Sequence, residues 1–551
     1  MAVSGSFAAA VQRIDQMLAR RHGEGLGPGL SLALTTAEQL LAARTYGVTS
    51  VCTGDPVSED TLFQIGSIAK PIVASACLRL FEQEKLDLHA PVEEVLDWFV
   101  VRSRFDSPVT IHHLLTHTSG LVMMIDTTPS SAYQVWSLRS TELGFEPGSK
   151  FSYSNVGYNV LQCIIEAITG MKLDHALREL IFGPLAMSAS YGEVMCSLYD
   201  HIAKGHTWSP HRDRPTAARA KPIVVNWYEM SQGCGSVVTT AVDLARFLRM
   251  LLNRGAADDG SAFLQPETFD LMTGSHATVD DFFSGKDQGY GIITGVDNDL
   301  DGHRVMLAAG ENLGFEAAML GDLDAGLGVI LLNNSFDMQW TETEFAMKTL
   351  LAASYRKPLP ELPKSAAEEA PSKAGVSEYA GTYHSDRRSF SIRGGGNRVT
   401  LESNGQCCTL ERLYGDCFRV PLEGFDHAML SFARNDTGQV VEAFQLSDWY
   451  PNERYNGPDS FTYPPAWDSF TGTYSSYAPL VCMFRIFVRK GRLICQCFGG
   501  YVDQELTEIG DGQFRSGGET SPEILQFDCI AGGKALRCVA SGGEYHRVDD
   551  M

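Results

Sequence analysis

Phe7, Val11, Ile14 and Leu18 recur at helical spacing and predict an amphipathic surface helix at the start of the chain. Residues 30–34 and 39–46 alternate as two strands of a hairpin. Residues 67–84 carry a helical pattern, and so do residues 156–169, where Gly170 stands ready to close the helix in a left-handed turn. A third helix, 240–253, opens on Thr240-Ala-Val-Asp243, which has the form of a capping box, and aligns Leu244, Phe247, Leu248 and Leu251 on one face. Residues 327–332 form an unbroken apolar run, the pattern of a buried strand, and a last helix is predicted from Thr341 to about Ser354.

The pattern then changes. Residues 357–373 hold four prolines and little that could pack, so 357–375 is read as a linker after a first domain of residues 1–356. Beyond it the chain repeats itself. Tyr379-Ala-Gly-Thr-Tyr383 recurs as Phe470-Thr-Gly-Thr-Tyr474, Cys417-Phe-Arg419 as Gln513-Phe-Arg515, and Leu430-Ser-Phe432 as Leu525-Gln-Phe527. Short alternating strands and Gly-rich turns, such as those at Gly394–Gly396 and Gly510–Gly512, predict two small antiparallel β-barrels or sandwiches, residues 376–463 and 464–551.

Charge narrows the partners. The 67 acidic and 44 basic residues give a formal net charge of −23, which repels nucleic acid and anionic lipid. No run of 18 apolar residues is present to span a membrane, and Arg13 and Asp15 interrupt the only apolar stretch near the N-terminus, so no signal peptide is expected there. The 13 cysteines are odd in number, scattered and without a C-x-x-C pair, which points to free thiols in a reducing cytoplasm. No cofactor is expected, and homo-oligomer formation stays open.

The candidate chemistry begins at Phe63-Gln-Ile-Gly-Ser67-Ile-Ala-Lys70. Residues i and i+3 share a helix face, so Lys70 would lie beside the Ser67 hydroxyl. A serine attacks a carbonyl only when a neighbour takes its proton, and a lysine does so once burial lowers its pKa. S-x-x-K alone recurs by chance in long chains. A second segment, Gly148-Ser-Lys-Phe-Ser-Tyr153-Ser-Asn155, adds a phenol able to relay a proton and a carboxamide able to bind a substrate carbonyl and accept from Lys70.

With Thr110-Ile-His-His-Leu-Leu-Thr-His-Thr-Ser-Gly120 and Gly235-Ser-Val-Val-Thr-Thr-Ala-Val-Asp243, these motifs occur in an order that resembles the serine β-lactamase and penicillin-binding-protein superfamily. The likeness is to its class C-like branch, which includes D-aminopeptidases, carboxylesterases and D-stereospecific transacylases, and it covers about residues 8 to 350. It implies an α+β catalytic domain, an antiparallel sheet flanked by helices, followed by two lipocalin-like barrels. It also implies Ser67 as nucleophile, Lys70 as base, Tyr153 as proton shuttle and Asn155 as a substrate contact. The family's third motif, Lys-Thr-Gly or His-x-Gly, falls here on Ala308-Ala309-Gly310, with Glu311 next. The backbone N–H groups of Ser67 and Glu311 would form the oxyanion hole. Ala308 supplies no cation, which speaks against substrates with a carboxylate and for a neutral ester or amide.

The resemblance thus implies a serine hydrolase of esters or amides, possible D-configured peptides among them. A transacylase or peptide cyclase using the same acyl-enzyme, and a catalytically impaired binding protein that keeps the fold, are the alternatives. No metal is expected: His112, His113 and His117 match the family's structural loop, and His201, His206 and His211 are read as solvent-exposed loop histidines.

Overall fold

The computed structural model describes residues 5–207, 222–280, 287–292, 295–335, 340–363, 376–395, 398–425, 428–497 and 503–548. Among the described residues the chain divides into two compact units, the first formed by residues 5–207, 222–363 and 541–543 and the second by residues 376–540 and 544–548. His211, residues 364–375 of the expected linker, and Gly396 lie outside the described residues.

The first unit is built on one eight-stranded antiparallel sheet. Its strands are β1 (Gly29–Thr36), β2 (Leu40–Gly47), β3 (Ala277–Asp280), β4 (Asp287–Tyr290), β5 (Gly295–Leu300), β6 (His303–Asn312), β7 (Phe315–Asp322) and β8 (Leu327–Asn333), in the order β2-β1-β8-β7-β6-β5-β4-β3. All of β8 is buried, as its apolar run requires, because it lies between β1 and β7 with both faces covered. On one face α1 (Gly5–Gly23) packs Ile14 and Leu18 with Leu32, Val329 and Leu331. On the other, Ile330 and Leu332 share a core with α2 (Ala69–Glu82), α3 (Asn155–Thr169) and the predicted apolar face of α4 (Ala241–Leu252). The last helix, α5 (Trp340–Ser354), joins the α1 face through Phe345 and Leu350.

Local signals explain the helix ends. Gly170 closes α3 at φ +68°, where a side chain would be strained. Thr240 caps α4 by accepting the Asp243 N–H. The return half of the box is absent, because the Asp243 carboxylate accepts instead from Ala189 N–H at 2.7 Å and Ser190 Oγ at 3.0 Å. The helix predicted from residue 67 starts later: Gly66–Ile68 is a 3₁₀ turn, and α2 begins at Ala69.

In the second unit the first repeat forms a four-stranded and a five-stranded antiparallel sheet. Tyr383, Phe390 and Leu401 of one sheet share a single core with Phe432, Ala443 and Tyr450 of the other. The second repeat closes into an eight-stranded barrel around Tyr474, Phe484, Phe514 and Phe527. The repeated G-T-Y does the same work in both copies. Tyr383 Oη donates to the Tyr379 carbonyl at 2.8 Å, and Tyr474 Oη to the Phe470 carbonyl at 2.9 Å. Each tyrosine thus fills a core while its buried hydroxyl is satisfied four residues back. Among the described residues no helix is long and apolar enough to cross a membrane.

Candidate active site

From Thr61 to Leu78 every residue is buried except Ser67. The turn that exposes it depends on Gly66, which sits at φ +50° and whose Cα faces Glu311 so closely that a Cβ would lie 2.5 Å from the Glu311 backbone nitrogen. Lys70 follows on the first turn of α2 and is only 2% exposed. Its ammonium donates to Ser67 Oγ at 2.9 Å and to the Cys234 carbonyl at 2.9 Å. Among the described residues no carboxylate pairs with it. Burial without a counter-ion brings its pKa down from 10.5 to about 8.

Tyr153 reaches Ser67 from the opposite side, with Oη donating to Oγ at 2.8 Å. Burial pushes its pKa above the ordinary 10.0, so the phenol keeps its proton. The His117 ring stacks on the phenol with centroids 4.4 Å apart. Its backbone carbonyl accepts the Ser152 N–H at 2.8 Å and its Nδ1 accepts the Ser154 N–H at 3.0 Å, so one residue holds the chain on both sides of Tyr153. Accepting at Nδ1 fixes the neutral ring with its proton on Nε2. Burial and the nearby Lys70 keep the His117 pKa well below its usual value.

Asn155 heads α3, where Ser154 is the N-cap and accepts the Gly157 N–H at 3.1 Å. The Asn155 backbone N–H donates to the Met123 carbonyl at 2.6 Å. Its carboxamide does not accept from Lys70 as expected from the motif; the Cys234 carbonyl takes that place. The loop carrying Cys234 is held on several sides. Gly233 N–H donates to Gln162 Oε1 at 2.7 Å, Cys234 N–H to Asn159 Oδ1 at 3.3 Å, and Asn312 Nδ2 to the Gly235 carbonyl at 2.9 Å.

The third motif lies on β6. Among the described residues its pairing with β5 runs as far as Leu307, and beyond that Gly310 and Glu311 meet the Gly66–Ser67 turn. A Cβ on Gly310 would fall 1.8 Å from the Ile65 carbonyl oxygen and 2.9 Å from the Ser67 nitrogen. Glycine is therefore required sterically, and its presence brings the Glu311 nitrogen against the Gly66–Ser67 backbone. Ala308 is 3% exposed and belongs to the core shared with α2, α3 and α4, so this position contributes packing and no charge.

The structure thus brings Ser67, Lys70, Tyr153, Gly310 and Glu311 together, with Asn155 two residues beyond Tyr153 and Ala308 in the core behind. The role of Cys234 is missed by sequence reasoning because a backbone carbonyl has no sequence signature. His117 is read there as a loop residue, and its stacking on Tyr153 is visible only in three dimensions. One expectation is corrected: His206 is fully buried, with Nδ1 3.0 Å from the Asn334 carbonyl and Nε2 accepting the Val51 N–H at 3.2 Å, because it lies on a short strand inside the unit. His201 is exposed. His112 and His113 are structural: His112 packs against the His89 and His276 rings, and His113 Nδ1 accepts the Thr110 N–H at 3.2 Å.

Known proteins resemble this chain. The family model described as Beta-lactamase matches residues 14–353. Penicillin-binding protein 4 of Amycolatopsis lactamdurans is 31% identical over 286 residues, covering 51% of this chain and 73% of its own. Esterase EstB of Burkholderia gladioli is 38% identical over 169 residues, covering 27% of this chain and 43% of its own. The octameric penicillin-binding protein homologue from Pyrococcus abyssi shares the fold, with a TM-score of 0.58 at 22% identity over 81% of this chain and 99% of that one. The family match spans more than half of the sequence and contains every residue of the cluster around Ser67, and on that ground the chain belongs to the beta-lactamase family.

Proposed function

We propose that the protein is a serine hydrolase that forms an acyl-enzyme at Ser67 on a neutral ester or amide, D-amino-acid peptides included. The observation that carries this reading is the placement of Lys70 Nζ and Tyr153 Oη at 2.9 and 2.8 Å from the hydroxyl of Ser67, the one half-buried residue in a buried stretch. Lys70, with its pKa near 8, is the group whose free base is accessible close to neutral pH. It takes the Ser67 proton as Oγ bonds to the carbonyl carbon. The carbonyl oxygen gains the electron pair and is held by the N–H groups of Ser67 and Glu311. As the carbon–oxygen or carbon–nitrogen bond breaks, Tyr153 passes its proton to the leaving group and is reprotonated from Lys70. Water then repeats the sequence on the acyl-enzyme. Ala308 leaves a substrate carboxylate without a cation on this wall, which supports an uncharged substrate over a β-lactam or D-Ala-D-Ala peptide. The 13 free cysteines support a reducing compartment such as the cytoplasm.

The test is covalent. A fluorophosphonate should add to Ser67 in the wild type and not in Ser67→Ala, with the modified peptide located by mass spectrometry. An unlabelled Ser67 in folded protein, together with no turnover of p-nitrophenyl esters, amino-acid amides or nitrocefin, would show a protein that keeps the fold without the chemistry.

A further inference from the structure

We propose that Glu311 gives the cleft a preference for substrates that carry a positive charge within a few bonds of the scissile carbonyl, and that its carboxylate holds the cation. The inference rests on Ser67 being the nucleophile and goes beyond it. Along β6 the side chains alternate: Ala308, Gly310 and Asn312 are buried, whereas Ala309 and Glu311 are exposed. The Glu311 backbone nitrogen lies against the Gly66–Ser67 turn, so its side chain departs from the residue that would bind the substrate oxyanion. Among the described residues no hydrogen bond or ion pair reaches its carboxylate. The carboxylate is near enough to Tyr153 for its charge to help raise the pKa of the phenol, and partial burial raises its own.

A negative charge beside an oxyanion hole opposes the charge that develops in the transition state. A substrate cation at Glu311 offsets it. On this wall the family's cation is replaced by Ala308 and a carboxylate is added one residue past the glycine, so the charge is reversed and not only lost. The chemistry that fits is an ammonium group, primary or quaternary, on either the acyl part or the leaving group.

Two pairs of probes isolate the charge. Alanyl p-nitroanilide and isobutyryl p-nitroanilide differ by an ammonium in place of a methyl group on the acyl side. Acetylthiocholine and 3,3-dimethylbutyl thioacetate differ by a charged nitrogen in place of carbon on the leaving side. The wild type should favour the charged member of at least one pair by on the order of tenfold in kcat/KM. Glu311→Gln should reduce that ratio by about the same factor, and Glu311→Lys should bring it below one. Fluorophosphonate labelling of Ser67 reports whether each variant keeps its site. If a variant does not fold, the wild-type ratio measured against salt carries the test, because a charge preference falls as ionic strength rises. Turnover of neutral probes with no preference for either cation, or a ratio unchanged in the variants and by salt, overturns the role of Glu311 and leaves the Ser67 reading standing. Absence of turnover together with an unlabelled Ser67 removes both.

Discussion

The two walls of the cleft differ in what holds them. On the Ser67 wall side chains make the contacts: Lys70 and Tyr153 converge on Ser67 Oγ, and the His117 ring stacks on the phenol. On the β6 wall the backbone does it. Gly310 is required by its contact with Ile65 and Ser67, while the side chains beside it, Ala308 and Glu311, carry none of the family's third-motif chemistry. Main-chain groups keep their place when side chains change, so under the proposed mechanism one wall would carry proton transfer and the other would be free to alter which substrate is admitted.

The largest test breaks the first wall. Ser67→Ala should lower kcat by at least ~10³-fold, Lys70→Ala nearly as much, and the double variant no further, because members of one proton-transfer unit are not additive. Near wild-type turnover in Ser67→Ala would place the nucleophile elsewhere. Gly310→Ala should break the second wall without touching a side chain. Displacing the Glu311 N–H from the oxyanion position should lower kcat by about 10²–10³-fold, while circular dichroism stays native-like. A variant with full activity would remove β6 from the mechanism.

The pH profile sharpens the comparison by isolating Lys70. As the base, it must be unprotonated, so kcat/KM should fall by about tenfold per unit as pH drops below a pKa near 8. A profile flat from pH 9 to 6 would assign the base to another group. Ala308→Lys restores a cation to the β6 wall and should raise the ratio of anionic to neutral substrate turnover by the equivalent of ~1–3 kcal/mol. Ala308→Met, which adds similar length without charge, separates this from packing in a site that is already buried. An equal change in both variants would count against an electrostatic role.

The smallest effect lies outside both walls, in the histidine cluster at the start of the loop that carries His117. Burial, with His276, His89 and His113 adding to it, lowers the His112 pKa from 6.5 to about 4. Between those values the unfolded chain binds a proton that the folded chain does not, so stability is lost as pH falls from 6.5 to about 4. The loss should be about 1–3 kcal/mol after allowance for the partial exposure of the ring, read by urea unfolding at each pH. His112→Asn should flatten it. An unchanged slope in that variant would place the acid sensitivity in other groups.

The sequence by itself determined what is local. Ser67 and Lys70 are three residues apart, and helical geometry alone puts them side by side. The apolar run of β8, the stripe on α4 and the G-T-Y repeat similarly predict a buried strand, a packed helix and two β modules, since period and turn chemistry act over a few residues. Tertiary structure decided what depends on distant segments meeting. Tyr153 bonds to a serine 86 positions away, and Lys70 to a carbonyl 164 positions away. The second of these partners is a backbone atom that any residue could supply. His117 looks like a loop histidine until its ring is seen on the phenol. Ala308 and Glu311 look like a weakened motif until the strand's alternation places one in the core and the other on the open face. Side-chain direction along a strand follows from its pleat, but what each face meets is set by the packing of the whole unit.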